Sequence, residues 1–223
     1  MSITDASTHF MNKAVIFDMD GVIFDSERCT YECWKRLADR EGLADFDSLY
    51  YSCIGTNADR TRELFLAAYG EDAPYETWRA EESALYHSLY DGGRLPKKPG
   101  ILKLLTYLKG KCYYTAVASS TRTEVVTAQL HDGGLDIYFD KIIGGDMVTK
   151  SKPEPDIFLK AIEGTEYTPS DCFVIEDSYN GIRAAHAAGM KGIMVPDMLP
   201  PTEEMERLAV NIVPTLEEVM RIL

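Results

Sequence analysis

The chain has 223 residues, 45% of them hydrophobic and 26% charged, enough apolar material for one full core and a small satellite. Intrinsic disorder and a disulfide-stapled miniprotein are therefore excluded. With 36 acidic against 23 basic side chains the formal charge is −13, a field that repels polyanions and opposes nucleic-acid binding.

At the start of the chain, residues 1–12 have neither the basic beginning nor the apolar stretch of a secretion signal. Nor does any later run approach the roughly 18 apolar residues of a membrane span, so no membrane partner is expected. The first expected strand, Ala14-Val15-Ile16-Phe17, runs directly into Asp18-Met19-Asp20-Gly21-Val22. Between about Glu27 and Arg94 there is no convincing strand. Three helical segments are expected there instead: 27–41 closed by Gly42, 57–69 closed by Gly70, and 74–90 closed by Asp91-Gly92-Gly93. This block reads as a small helical domain inserted after the first strand, with linkers near 24–27 and 92–99.

Helices and strands then alternate. A helix over 99–109 carries Ile101, Leu104, Leu105 and Leu108 on one face and stops at Gly110. A strand follows over 113–118, and Thr121-Arg122-Thr123-Glu124 reads as a capping box opening a helix to Leu130. Further strands are expected at 141–143, 173–175, 192–195 and 210–213. An Ala-rich helix over 180–188 ends at Gly189, and a last short helix opens at Thr215. The strand runs are continuously apolar rather than alternating, which fits strands buried on both faces of a parallel sheet. The expected fold is α/β, a Rossmann-like parallel sheet core with an inserted helical domain.

Four polar clusters sit where those strands end, the edge at which open α/β sheets bind ligands. Asp18 and Asp20 would serve as nucleophile and proton carrier or share a cation; a solubilising acidic turn is the plainer alternative. An EF-hand fits poorly, since Gly21 is fourth in the loop and the twelfth position is Cys29. Ser119-Ser120-Thr121 offers hydroxyls and free N–H groups to an anion, or merely caps a helix. Lys152, in Lys150-Ser151-Lys152-Pro153-Glu154-Pro155-Asp156, precedes a proline-primed helix and would present a point charge to a phosphoryl oxygen. Glu176-Asp177-Ser178 suits a hard cation such as Mg²⁺, with helix capping as the alternative. The five cysteines include no Cys-x-x-Cys pair and read as free thiols of a reducing, cytoplasmic compartment. Cys29 and Cys33 lack further ligands of metal spacing and read as packing, and Trp34 and Trp78 as core of the helical block or lining of a substrate cavity.

Taken together, Asp18-x-Asp20-Gly21-Val22 with Asp25-Ser26, Ala118-Ser119, the run from Ser151 to Asp156, and Glu176-Asp177-Ser178-x-Asn180-Gly181 resemble the haloacid dehalogenase superfamily. The nearest branch is similar to the phosphatases related to beta-phosphoglucomutase. The resemblance implies a core of residues 1–26 and 96–223 and a helical cap domain of residues 27–95. It also implies a Mg²⁺-dependent phosphatase of a small, sugar-phosphate-like monoester. In that scheme Asp18 forms an aspartyl-phosphate and Asp20 is the general acid and base. Asp18, the Asp20 carbonyl and Asp177 hold Mg²⁺, with Glu176 a ligand or behind one. Ser119, Ser120 and Lys152 hold the phosphoryl group. Dehalogenation fits worse, because it has no alkoxide for Asp20 to protonate. A phosphosugar mutase is the alternative; that branch carries Thr and His where this chain has Ser26 and Thr30, and an Arg three residues after a cap glycine, where Gly55 is followed by Thr56-Asn57-Ala58. Arg60, Arg62, Arg79 and Arg94 are candidate substrate contacts. A non-catalytic binding protein on the same scaffold is the remaining reading.

Overall fold

The computed structural model describes residues 13–56 and 58–223. Six parallel strands form one sheet in the order β3-β2-β1-β4-β5-β6. They are β1 (Ala14–Phe17), β2 (Tyr114–Ala118), β3 (Lys141–Ile143), β4 (Cys172–Glu176), β5 (Lys191–Met194) and β6 (Asn211–Ile212). β1 is central, pairing with β2 on one side and β4 on the other. Because strand side chains alternate, Val15 and Phe17 enter one apolar cluster and Ala14 and Ile16 the other. Both faces of β1 are thus covered, which is why its sequence is apolar without a break. The chain leaves β1 toward β2 and later returns to its other side as β4, so the strand order reverses there and opens a crevice at the carboxyl ends.

Helices α5 (Ile101–Gly110), α6 (Thr123–Asp132), α7 (Asp156–Ile162), α8 (Tyr179–Ala187), α9 (Glu203–Leu208) and α10 (Leu216–Val219) cover the sheet. α5 starts two residues later than its apolar pattern implies, because Gly100 adopts φ 89° and breaks the helical backbone there. The expected capping box at Thr121 does not form. α6 begins at Thr123 without a side-chain cap from its own N-cap, Arg122. Asp146 does that work from 23 residues away, accepting from the Thr123 N–H and hydroxyl, each at 2.7 Å.

Between β1 and α5 lie four helices, one more than expected: α1 (Ser26–Glu41), α2 (Phe46–Cys53), α3 (Ala58–Tyr69) and α4 (Tyr75–Tyr90). The expected start of α3 at Asn57 falls outside the described residues. α1 buries Cys29, Cys33, Trp34, Leu37 and Ala38 along one stripe and ends where Gly42 turns left-handed at φ 67°. α2 is eight residues long and buries only Phe46 and Tyr50. Trp34, Phe46, Tyr50, Phe65, Tyr75 and Trp78 form an aromatic core of this block, separate from the two sheet clusters. Both tryptophans are buried in it, with the Trp34 ring tilted against Phe65 at 4.9 Å between ring centroids. All five cysteines are free thiols. Among the described residues no helix is long and apolar enough to cross a membrane.

Candidate active site

Each chemistry-bearing segment begins where a buried strand stops, and the sheet's hydrogen bonds continue into it. The Asp18 N–H donates to Ile175 O at 3.0 Å and the Ser119 N–H to Ile143 O at 3.0 Å. The residue after β1 and the residue after β2 are therefore as fixed as the strands themselves. Gly21, the residue after Asp20, has φ 77°, and a Cβ there would lie 2.3 Å from Asp177 Oδ2. Both its conformation and the close approach of the two acidic loops demand glycine.

A cleft of about 700 Å³ opens at these strand ends. Asp18, Asp20, Ser120, Lys152, Glu176 and Asp177 line it from the sheet side, and Ile54, Gly55, Thr56 and Arg60 from the helical block. Asn180, at the start of α8, donates to Gly55 O at 3.1 Å across the cleft. Ser119 is fully buried beneath, where its Oγ accepts from the Thr121 N–H at 3.0 Å. Of the four arginines considered from sequence, Arg60 lines the cleft, while Arg62 pairs with Glu76 and Arg94 donates to Asp91 O.

Lys152 is the electrostatic centre. Its ammonium donates to Asp18 Oδ1, to Glu176 Oε1 at 2.7 Å and to Ala118 O at 3.2 Å. Burial alone would lower its pKa, but Asp18 and Glu176 more than offset that and hold it charged well above the usual lysine range. Glu176 is almost wholly enclosed, and its other oxygen accepts from the N–H groups of Asp177 and Ser178 and the Ser178 hydroxyl, each at 2.9 Å. A Cβ on Gly181 would fall 1.8 Å from the Glu176 carboxyl carbon, so α8 is pressed directly against this anion.

Asp177 differs from Glu176 in that its carboxylate has no hydrogen-bonding partner among the described residues. Ligand oxygens of Asp18, Glu176 and Asp177 all lie within 4.8 Å of one another. Burial, then the neighbouring carboxylates, push Asp177 well above the usual carboxylate range. Asp18 is pushed up the same way, burial outweighing the pull of Lys152. One ammonium does not neutralise three enclosed carboxylates, so this oxygen set fits a small hard cation such as Mg²⁺. Asp20, by contrast, is held by hydroxyls: Ser26 Oγ donates to its Oδ1 at 2.7 Å and Thr121 Oγ1 to its Oδ2 at 3.1 Å, with Ser119 Oγ at 3.5 Å.

Three of these features escaped the sequence. Thr121 read as part of an anion-binding cluster or as a helix cap, not as a partner of Asp20, and Ser26 as part of a motif without a partner. Glu27 marked only the start of the helical block, yet it lines the cleft. Burial, then Asp20 and Asp197, push its pKa up to about 7.

The family described as haloacid dehalogenase-like hydrolase matches residues 15–195. A phosphorylated carbohydrates phosphatase of Thermotoga maritima is 30% identical over 185 residues, 81% of this chain and 83% of the relative. A beta-phosphoglucomutase of Bacillus subtilis is 32% identical over 191 residues, 82% of this chain and 83% of the relative. The crystal structure of a family IA, variant 3 haloacid dehalogenase hydrolase from Entamoeba histolytica superposes with a TM-score of 0.75 at 26% identity, covering 92% of this chain and 94% of that one.

Proposed function

Because the chain belongs to the haloacid dehalogenase-like hydrolase family and is a hydrolase of phosphoric monoesters, we propose that it is a Mg²⁺-dependent phosphatase of a small, sugar-phosphate-like monoester, working through an aspartyl-phosphate. The observation that carries this reading is the single cleft in which Asp18, Asp20 and Lys152 face one another at the ends of β1 and the strands beside it. Of the described residues, those of 13–26 and 96–223 would form the catalytic core, and those of 27–95 a cap domain across the cleft.

In the first half-reaction Asp18 attacks phosphorus. Lys152 grips Asp18 Oδ1, which leaves Oδ2 as the oxygen without a hydrogen-bonding partner among the described residues. As the Asp18–phosphorus bond forms, the phosphorus–alkoxide bond breaks and Asp20 gives its proton to the departing oxygen. In the second, a water attacks phosphorus, Asp20 takes the water's proton, and inorganic phosphate leaves with Asp18 restored. Such acid–base help is worth about 10²- to 10⁴-fold. Lys152, the Ser120 N–H and the enclosed Ser119 stabilise the transferring group, in keeping with a reaction that is mostly positioning and charge stabilisation. Asp18, the Asp20 carbonyl and Asp177 would hold Mg²⁺, with Glu176 orienting Asp177 and Lys152 from behind. When bound, the ion supplies positive charge to the nucleophile and the phosphoryl oxygens. The cap contributes Arg60 to the substrate side and excludes bulk water when closed.

Hydrolysis of p-nitrophenyl phosphate tests the reading directly. Turnover should require Mg²⁺, stop in EDTA, and fall about 10³-fold or more in Asp18→Asn. Turnover that resists EDTA, or an active Asp18→Asn enzyme, overturns it. The likeness to the Bacillus mutase supports a second reading, phosphosugar mutase activity. Beta-glucose 1-phosphate with its bisphosphate activator separates the two, since only a mutase returns glucose 6-phosphate.

A further inference from the structure

We infer that Arg183 and Glu204 are positioning residues that aim Asn180 as a latch on the loop after α2, and through that loop help set substrate affinity; this rests on the core-and-cap reading above. Neither Arg183 nor Glu204 lines the cleft, whereas Asn180, in the first turn of α8, does. Asn180 Nδ2 donates to Gly55 O at 3.1 Å, a bond from the sheet side to the helical block. The loop it holds carries Ile54, Gly55 and Thr56 to the cleft, and Gly55 turns left-handed there at φ 76°. Behind Asn180 the chain of bonds continues away from the cleft. Its Oδ1 accepts from Arg183 Nη1 at 2.9 Å. Arg183 in turn grips Glu204 of α9 with two bonds, Nε to Oε1 at 2.8 Å and Nη2 to Oε2 at 2.5 Å.

Each link dictates the next. A guanidinium only donates and a backbone carbonyl only accepts, so a primary amide fits between them in one orientation, its oxygen to Arg183 and its nitrogen to Gly55. Packing anchors the far end. Ile182 and Met205, next in sequence to Arg183 and Glu204, are fully enclosed in one small apolar cluster, so α8 and α9 bring the guanidinium and the carboxylate together. Tyr179 adds a second tie, its hydroxyl donating to Pro200 O at 2.6 Å just before α9. The Arg183 and Glu204 side chains are 38% and 40% exposed, and an ion pair that open to water contributes little to stability. Its two parallel bonds supply direction instead: a forked donor pinned along one side presents its remaining N–H on a fixed line. A loop held across the cleft for a larger fraction of the time raises the apparent affinity for substrate in proportion to that fraction.

The test uses the full-length enzyme at saturating Mg²⁺ with p-nitrophenyl phosphate, in wild type, Asn180→Ala, Arg183→Leu, Arg183→Lys, Glu204→Gln and the double variant Asn180→Ala/Arg183→Leu. KM should rise about three- to tenfold in Asn180→Ala and Arg183→Leu and about two- to threefold in Glu204→Gln, while kcat moves less than about twofold. Arg183→Lys, which keeps a donor but loses the fork, should fall between wild type and Arg183→Leu. The double variant should be no worse than Asn180→Ala, because both changes break one chain of bonds. A KM unchanged in Asn180→Ala and Arg183→Leu overturns the inference, as do effects that add in the double variant. A fall in kcat at constant KM also overturns it, since Asn180 would then touch the reacting group. Glu204→Gln changes only a surface side chain, so its KM stands as a readout whether or not the other variants fold. Hydrogen exchange at the Thr56 amide, which donates to Cys53 O at 3.0 Å, reads the same loop without substrate. Exchange should quicken about three- to tenfold in Asn180→Ala and Arg183→Leu; unchanged exchange in both overturns the latch. If wild type leaves p-nitrophenyl phosphate intact while exchange quickens as expected, the phosphatase reading falls alone and the latch stands.

Discussion

Asp20 is clamped from two directions, by Ser26 at the start of α1 and by Thr121 in the loop after β2. Both hydroxyls position the proposed proton carrier without reacting themselves. Hydrogen bonds to charged groups are worth about 1.5–3 kcal/mol, so Ser26→Ala and Thr121→Val should each lower kcat by about 10- to 100-fold. Asp20→Asn should cost at least as much as either, about 10²- to 10⁴-fold. Steady-state and single-turnover rates check this ordering; if Thr121→Val fell further than Asp20→Asn, Thr121 itself would be the group that moves the proton. The acids and Lys152 were legible because each follows an apolar run, and a buried strand delivers its next residue to a predictable edge. The bond from Thr121 to Asp20 was not, because it closes a separation of 101 residues, and locally Thr121 offered only an anion contact or a cap. Glu27 was hidden for a related reason: only the closure of the helical block over the sheet turns a first-turn acid into part of a cleft.

The helices between β1 and α5 carry their own electrostatic strain. Glu82 on α4 is buried to 8% exposure, and burial, against weaker pulls from His87 and Arg79, raises its pKa to about 7. Cys33 and Tyr50 are the titratable neighbours whose own values it raises. The folded state therefore holds a proton that the unfolded chain, with an ordinary glutamate value of 4.5, has already released. Stability should fall as pH rises from about 4.5 to about 7 and then level off. After allowance for solvent screening the change is on the order of 1 kcal/mol. Urea melts of wild type and Glu82→Gln should nearly coincide at pH 5 and separate by that amount at pH 8, with the glutamine protein the more stable. At the hinge, Lys98 bridges Asp25 at 3.2 Å and Asp197 at 2.6 Å, joining both linkers to the loop after β5. The Asp197 side chain is 2% exposed, with Arg28 also 3.7 Å from its Oδ1 and no hydrogen-bonding partner for its Oδ2 among the described residues. Lys98→Met should thus cost about 3 kcal/mol, and adding Asp197→Asn should restore part of it; urea midpoints that do not move in Lys98→Met would dismiss the bridge as surface decoration. Long amphipathic stripes such as that of α1 were legible from spacing alone. α2 was not, because two buried aromatics four residues apart make too short a pattern to be told from a loop.

At the scale of the molecule, a formal charge of −13 coexists with a site that must accept an anion. The two are reconciled locally, where Asp18, Glu176 and Asp177 gather their oxygens within 4.8 Å and Lys152 supplies the single ammonium bonded among them. This crowding gives a cation something to relieve. Asp177 is the member to perturb, since its carboxylate makes no hydrogen bond among the described residues whose loss would confuse the result. In EDTA, Asp177→Asn should melt at a higher temperature than wild type, because one of three mutually repelling charges is gone. In Mg²⁺ the order should invert. A ligand that binds only the folded state adds about 2.7 kcal/mol at a concentration 100 times its Kd, and the variant, having lost a proposed ligand, gains less at the same concentration. Melting temperatures across a Mg²⁺ titration read this without any substrate. A wild type that Mg²⁺ does not stabilise, or a variant stabilised equally, would mean that these carboxylates are packed together for another reason and that the acidic surface extends unrelieved into the cleft.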